Sequence, residues 1–463
     1  MITKSEDSLI NKVTNHRCFL LALTLLLSAC STSLVRDELE PFDRQGNYNY
    51  FLSLLQDATL QSVTLDATGF SWPELQGIAD TVMLEFQVSE TQGRNPAIRV
   101  SFESESFVQY FEEGGAGIRY LDLTPLLASD IATGDYVSLS SEGAEWVTEQ
   151  GTLATFNNDV NLDGKTLVIA PHPDDAEIAA FGLYQDTVAD VVTITAGDAG
   201  GSNFERVWPD SGEQYRAKGW IRTIDSITVP FFGGLGPEQV RNLGYYDATL
   251  RRLWQQRPST VPTPFAELND PGYFRKLNFD EELRARRFVS NWPSLVNDLL
   301  LELERVEPDT VVAPHPYLDR HGDHQFAAIA LFEALNRWDR EITVLLYTNH
   351  AAGNEAFPLG PRDGMTGLPA WNVDNLYITG VYSHPLSEET QRRKLIAAEA
   401  MHDLRPFDPR DGSAIESINP VYDYFRRGPR PNEIFLVTNL LGTRVIRTEF
   451  LREMRVPALQ IGM

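Results

Sequence analysis

The chain has 463 residues, with 39 Lys and Arg against 65 Asp and Glu, a formal net charge of −26. That length suggests two or three domains of roughly 150 residues each, and 42% hydrophobic with 22% charged residues is a globular composition. Such acidity excludes a nucleic-acid partner, whose phosphates need Lys and Arg, and a polybasic dock on anionic lipid. No apolar run approaches the roughly 20 residues of a spanning helix. The only two cysteines, Cys18 and Cys30, lie near the N-terminus, so neither a disulfide framework nor a thiolate metal site is expected.

Lys4, Lys12 and Arg17 precede an apolar run over residues 18–27 and then Ser28-Ala29-Cys30. A basic segment, a short apolar region and small residues before a cut describe a secretory signal over residues 1–29. Glu6 and Asp7 are atypical of such a basic segment. Leu27-Ser28-Ala29-Cys30 resembles a bacterial lipobox. The resemblance implies that Cys30 becomes a lipid-modified first residue, with residues 30–56 as a tether and acyl chains that hold without spanning. Ser31 in place of Asp after that cysteine implies, by resemblance to Gram-negative sorting, the outer membrane.

Residues 57–160 read as a β-sandwich-like domain. Segments 62–65, 82–88, 98–102, 118–123 and 136–140 alternate apolar and polar residues at period two. Gly114-Gly115-Ala116-Gly117 between two of them is a hairpin signal. Trp72, Tyr110, Tyr120 and Trp146 suit either a core or a surface that stacks on sugars, and the core is the commoner use of such rings.

Over residues 161–463 the texture becomes α/β. Continuous apolar strands at 165–170, 191–195, 310–314 and 342–347 alternate with helical patterns at 281–306 and 325–338. This predicts a Rossmann-like, mostly parallel sheet with helices on both faces and ligands at the carboxyl ends of its strands. Residues 233–274 are poorly periodic and read as an insertion or a mobile loop.

Two motifs stand at strand ends. Pro171-His172-Pro173-Asp174-Asp175-Ala176-Glu177 follows the first strand. His172 and Asp175 can hold zinc while Asp174 faces a water on it. Taken alone, an Asp-Asp turn capping a helix explains this motif equally well. The second motif, His315 to His324, holds three of the seven histidines that remain when His16 is set aside, and a structural origin for that cluster is improbable. His321 and His324 lie three apart at a helix start, on one face. Two motifs at strand ends of one parallel sheet meet at one edge, which yields His172, Asp175 and His324 as ligands of one Zn2+ with a position open for water. His315 reads as a loop histidine, and His350, His384 and His402 as isolated structural ones.

At this point the chain resembles the PIG-L/LmbE family of zinc-dependent N-acetylglucosamine deacetylases. The family's Ala-His-Pro-Asp-Asp motif with a close Glu stands here as Pro171 to Glu177, and its His-Pro-Asp-His as His321-Gly322-Asp323-His324. Its Gly-Glu-Ala-Gly turn is similar to Gly197-Asp198-Ala199-Gly200. The resemblance covers about residues 165–402. It implies that His172, Asp175 and His324 bind zinc and that Asp174 is the general base. It further implies that His321 stabilises an oxyanion or protonates the leaving amine, and that Asp323 orients a ligand imidazole. Pro171 and Gly322 depart from the motifs without removing a ligand. The family's Arg-x-x-Glu pair would place a substrate-binding Arg at Arg216, but Gly219 stands at the Glu position. The expected activity is removal of an N-acetyl or similar group from an envelope sugar. The alternatives are a glycan-binding lipoprotein with a degenerate deacetylase domain, which intact motifs disfavour, and a two-metal phosphoesterase, which needs more ligands than the chain places.

Overall fold

The computed structural model describes residues 58–200, 207–351, 357–369, 377–402 and 428–454. Cys18, Cys30, the signal and the tether lie outside them. The described residues belong to one compact unit.

Its first part is all β: β1 (Thr59–Val63), β2 (Gly69–Ser71), β3 (Thr81–Thr91), β4 (Ala97–Phe102), β5 (Glu105–Tyr110), β6 (Gly117–Asp122), β7 (Tyr136–Glu142) and β8 (Ala144–Phe156). An antiparallel sheet runs β1-β8-β3-β6, with β2 pairing β7 and β4 pairing β5. The alternating apolar residues Leu84, Val100, Leu121, Val137 and Leu153 from these strands fill one core. The Gly114–Gly117 run does not close a hairpin, because β5 and β6 belong to different sheets. The β4–β5 turn instead has Glu103 in the left-handed region at φ 49°. Trp72 and Tyr120 are buried, and Trp146 packs against the same core. The sugar-platform reading therefore fails for Trp72 and Tyr120, while Tyr110 and Trp146 are half-buried.

The α/β part begins with β9 (Lys165–Ala170), α1 (Asp175–Asp186), β10 (Val188–Thr195), α2 (Ser211–Thr228), β11 (Val240–Tyr245), α3 (Leu250–Gln256), α4 (Glu281–Ala285) and α5 (Trp292–Val306). It continues through β12 (Thr310–Pro314), α6 (Gly322–Trp338), β13 (Thr343–Tyr347), β14 (Gly380–Pro385), α7 (Glu388–Ala400), β15 (Asn432–Asn439) and α8 (Leu440–Glu453). The seven-stranded sheet has the order β11-β10-β9-β12-β13-β15-β14. The first five strands are mutually parallel, and β15 runs antiparallel to both β13 and β14. β12 is buried along its whole length, as its unbroken apolar run demands.

Two sequence readings are corrected. The helical pattern over 281–306 is interrupted, and α5 restarts at Trp292 with Pro293 in its first turn and the Asn291 side chain accepting from Ser294 N. The 233–274 stretch contains β11, hidden from pattern reading by Arg241 and Asn242 in its centre. Both are buried, and Arg241 is neutralised by Glu302 at 2.7 Å and Asp190 at 2.6 Å.

Polar groups tie the β-rich part to the sheet. Asn158 Nδ2 donates to Val381 O at 2.7 Å, and Ser383 N to Thr81 Oγ1 at 3.1 Å. The buried Arg430 guanidinium donates to the carbonyls of Pro358, Leu359, Gly360, Gly364 and Met365. Met365 N in turn donates to Val108 O of β5.

Candidate metal centre

All five parallel strands deliver a residue to one edge just past their carboxyl ends: His172 after β9, Asp198 after β10, Asp247 after β11, His315 after β12 and Asn349 after β13. That is where a parallel sheet places its ligands. His172 Nδ1, Asp175 Oδ2 and His324 Nε2 converge, at 3.2 Å between His172 and Asp175, 3.1 Å between the histidines and 3.0 Å between His324 and Asp175. Ligand atoms about 2.0–2.1 Å from a tetrahedral zinc lie about 3.3 Å apart, so the three groups fit such an ion.

Carboxylates hold both imidazoles from behind. Asp319 Oδ2 lies 2.9 Å from His324 Nδ1, and Asp247 Oδ1 lies 3.2 Å from His172 Nε2. The Asp319 hydrogen bond fixes which ring nitrogen of His324 faces the centre. Burial opposes charge on His324, but Asp175 and Asp319 raise its pKa to about 10. Burial likewise opposes the Asp247 charge, yet His172 holds its carboxyl far below the usual range.

The expected orienting role of Asp323 falls largely to Asp319. Asp323 accepts from Ala248 N at 2.7 Å and Leu250 N at 3.0 Å, anchoring the start of α3, and stands 3.7 Å from His172 Nε2. Two further sets, His172 with His321 and His324 and His172 with Asp247 and Asp323, also bring ligand atoms close enough together for a cation. Asn349 joins the two halves. Its Nδ2 donates to Asp175 Oδ1 at 2.8 Å, and its backbone N donates to Asp319 Oδ2 at 2.9 Å.

Asp174 precedes α1, but its side chain makes no capping hydrogen bond. It instead lies 3.2 Å from Arg222 Nη2, so the helix-cap reading of the Asp-Asp turn is set aside. His321 precedes α6 and also makes no cap. Its ring lies 4.7 Å from His172 and 4.9 Å from His324, centroid to centroid, and its buried Nδ1 has no hydrogen-bond partner among the described residues. Burial and the neighbouring histidines push its pKa well down, which favours a neutral ring.

His350 is not isolated: its ring is 5.3 Å from His321 and 5.1 Å from His324. His315 Nδ1 accepts from Tyr317 N and Leu318 N, shaping the loop to Asp319. His384 lies 3.0 Å from Asp186 and His402 lies 2.8 Å from Asp225, away from the centre.

Arg216 does not reach the centre. Its Nη1 donates to Ala266 O at 2.8 Å, and its Nη2 lies 3.8 Å from Asp210. The arginine at the site is Arg222, six residues further along α2. The Arg-x-x-acid spacing recurs at Arg222 and Asp225, a signal the sequence offered. Gly197 has φ 66°, and a Cβ there would fall 2.4 Å from Arg222 Nη1, so that turn requires glycine.

The family model for GlcNAc-PI de-N-acetylase, PIG-L, matches residues 167–335. Comparison with curated proteins finds no match. Among solved structures, a zinc-inhibited form of teicoplanin deacetylase Orf2 is 17% identical, with TM-score 0.33, over 51% of this chain and 83% of that one. The A40926 pseudoaglycone deacetylase Dbv21 is 18% identical, with TM-score 0.34, over 59% and 96%. The 4-carboxy-2-hydroxymuconate hydratase GalB of Pseudomonas putida KT2440 is 12% identical, with TM-score 0.29, over 59% and 95%. The family match encloses both loops that build the centre.

Proposed function

We propose that the chain is a zinc-dependent hydrolase that removes an N-acetyl or similar N-acyl group from an N-acetylglucosamine-type sugar of the cell envelope. The observation that carries this reading is the convergence of His172 Nδ1, Asp175 Oδ2 and His324 Nε2 within 3.2 Å of one another, next to the uncapped carboxylate of Asp174. When bound, zinc supplies Lewis acidity to the amide carbonyl and lowers the pKa of a water toward about 7. Asp174 takes a proton from the attacking water, and Arg222 fixes its carboxylate for that task. The water oxygen bonds to the carbonyl carbon. The C–N bond then breaks, acetate departs, and the amine takes up the proton. The neutral His321 ring offers an N–H to the oxygen on which negative charge develops.

The division into a β-sandwich-like domain over 57–160 and a deacetylase domain over 161–463 belongs to this reading. It is supported by separate hydrophobic clusters in the two parts. Envelope placement is supported by the tetrad Leu27-Ser28-Ala29-Cys30 alone. Cys30→Ser should release active protein from the membrane fraction. Retention of that variant on membranes would contradict the anchor.

Elemental analysis and acetate release test the chemistry together. His324→Ala should lose the metal. Asp174→Asn should keep it and lose turnover by about a hundredfold or more. An Asp174→Asn protein that loses metal and retains activity would reverse the two roles.

A further inference from the structure

Phe265 and Tyr215 form a pair that neither the core nor the proposed chemistry uses. The Phe265 residue is 40% exposed, and its ring stacks on Tyr215 of α2 with centroids 4.8 Å apart and planes 28° from parallel. Singly exposed aromatics are ordinary, but this pair is held in place. Thr263 Oγ1 accepts from Phe265 N and Ala266 N at 3.4 and 3.1 Å, and donates to Asp198 Oδ2 at 3.0 Å. Arg216 Nη1 donates to Ala266 O at 2.8 Å, and Tyr215 Oη donates to Gly200 O at 3.0 Å.

These anchors lead back to the metal centre. Asp198 Oδ1 accepts from Asp247 N at 2.9 Å, Ala199 N donates to Asp247 Oδ2 at 3.3 Å, and Asp247 lies 3.2 Å from His172. The stacked pair is thus tied, through the turn after β10, to the same loops that hold the ligands.

Its chemistry selects an occupant. An aromatic face is electron-rich and attracts the polarised C–H groups of a pyranose face. Asp210 and Glu213, with side chains 60% and 49% exposed, stand 3.8 and 3.9 Å from Arg216 Nη2 beside the pair. Their oxygens accept from sugar hydroxyls and repel phosphate or carboxylate groups. We infer that Tyr215 and Phe265 form a stacking subsite for the sugar next to the one that is deacetylated, so that the substrate is a glycan of two or more residues without anionic groups. This rests on the deacetylase reading.

The test compares acetate release from N-acetylglucosamine and from its β-1,4-linked dimer, for the wild type and for Phe265→Ala, Phe265→Leu and Phe265→Tyr. The wild type should prefer the dimer. That preference, read as the ratio of kcat/KM values, should fall about tenfold in the Ala and Leu variants and survive in Tyr. A wild type without preference, or a ratio unmoved by Phe265→Ala, overturns the subsite. A ratio kept by Leu but lost in Ala assigns apolar bulk and overturns the sugar face. If the wild type releases acetate from neither compound, the deacetylase reading fails first. Equilibrium binding of the β-1,4-linked tetramer then decides the subsite, with about tenfold weakening in Phe265→Ala expected and equal binding contradicting it.

Discussion

Two buried polar clusters at opposite parts of the α/β sheet differ in how their groups are used. Where the β-rich part meets β14 and β15, Asp122 Oδ1 accepts from Thr124 N, and Asp122 Oδ2 accepts from Ser383 Oγ and Asn432 Nδ2. Asn432 also bonds both backbone polar atoms of Thr366. Donors and acceptors match there, and the cluster points at nothing. At the carboxyl edge of the parallel strands, Asp175 Oδ2 instead faces ring nitrogens of both His172 and His324, and the buried His321 Nδ1 has no partner among the described residues. A closed network joins elements. A network whose lone pairs converge on one point, with a donor left over, is built for something that is not protein.

The sharpest way to break this contrast is to remove the left-over group. His321→Ala should lower kcat and kcat/KM together by about a hundredfold or more while metal content stays constant, since its effect belongs to developing negative charge. A normal rate in a folded, metal-loaded variant would take His321 out of the chemistry. One layer back, Asn349→Ala frees Asp175 Oδ1 and should weaken metal affinity by about 10–100-fold. Competition with a chelator of known affinity reads this directly, and unchanged affinity would mean that Asp175 is held by its other contacts.

The closed cluster should behave oppositely. Asp122→Asn sets an amide against the Asn432 amide and should cost about 1–3 kcal/mol of stability, with turnover per folded molecule intact. Burial raises the Asp122 pKa above its ordinary 3.8, so its stabilisation is complete below that value and is lost as pH rises through the folded one. The melting-temperature advantage of the wild type over Asp122→Asn should therefore be largest at acidic pH and shrink toward alkaline pH. An advantage that grows with pH would contradict the burial argument.

His172, Asp174, Asp175, His321 and His324 were legible because they sit in two short runs, where chemistry-bearing residues crowd at strand ends. Asp247 and Asn349 were not, since each is one polar residue contributed by a different segment and meets the others only in three dimensions, whereas Arg222 left only its spacing to Asp225 as a signal. Asp319 lay inside the second motif, but spacing alone could not choose between it and Asp323 as the partner of His324 Nδ1. In the fold, unbroken apolar strands such as β9 and β12 announced themselves. β11 did not, because its buried Arg241 is matched by acids on β10 and α5, and periodicity does not record that.

The central claim is that the converging groups hold a metal that the deacetylation needs. Acetate release from N-acetylglucosamine, followed through chelation and stepwise return of Zn2+, tests it most directly. The account predicts loss of activity on chelation and recovery that saturates at one equivalent of zinc per chain. Full activity in a protein shown by elemental analysis to be free of metal would contradict it.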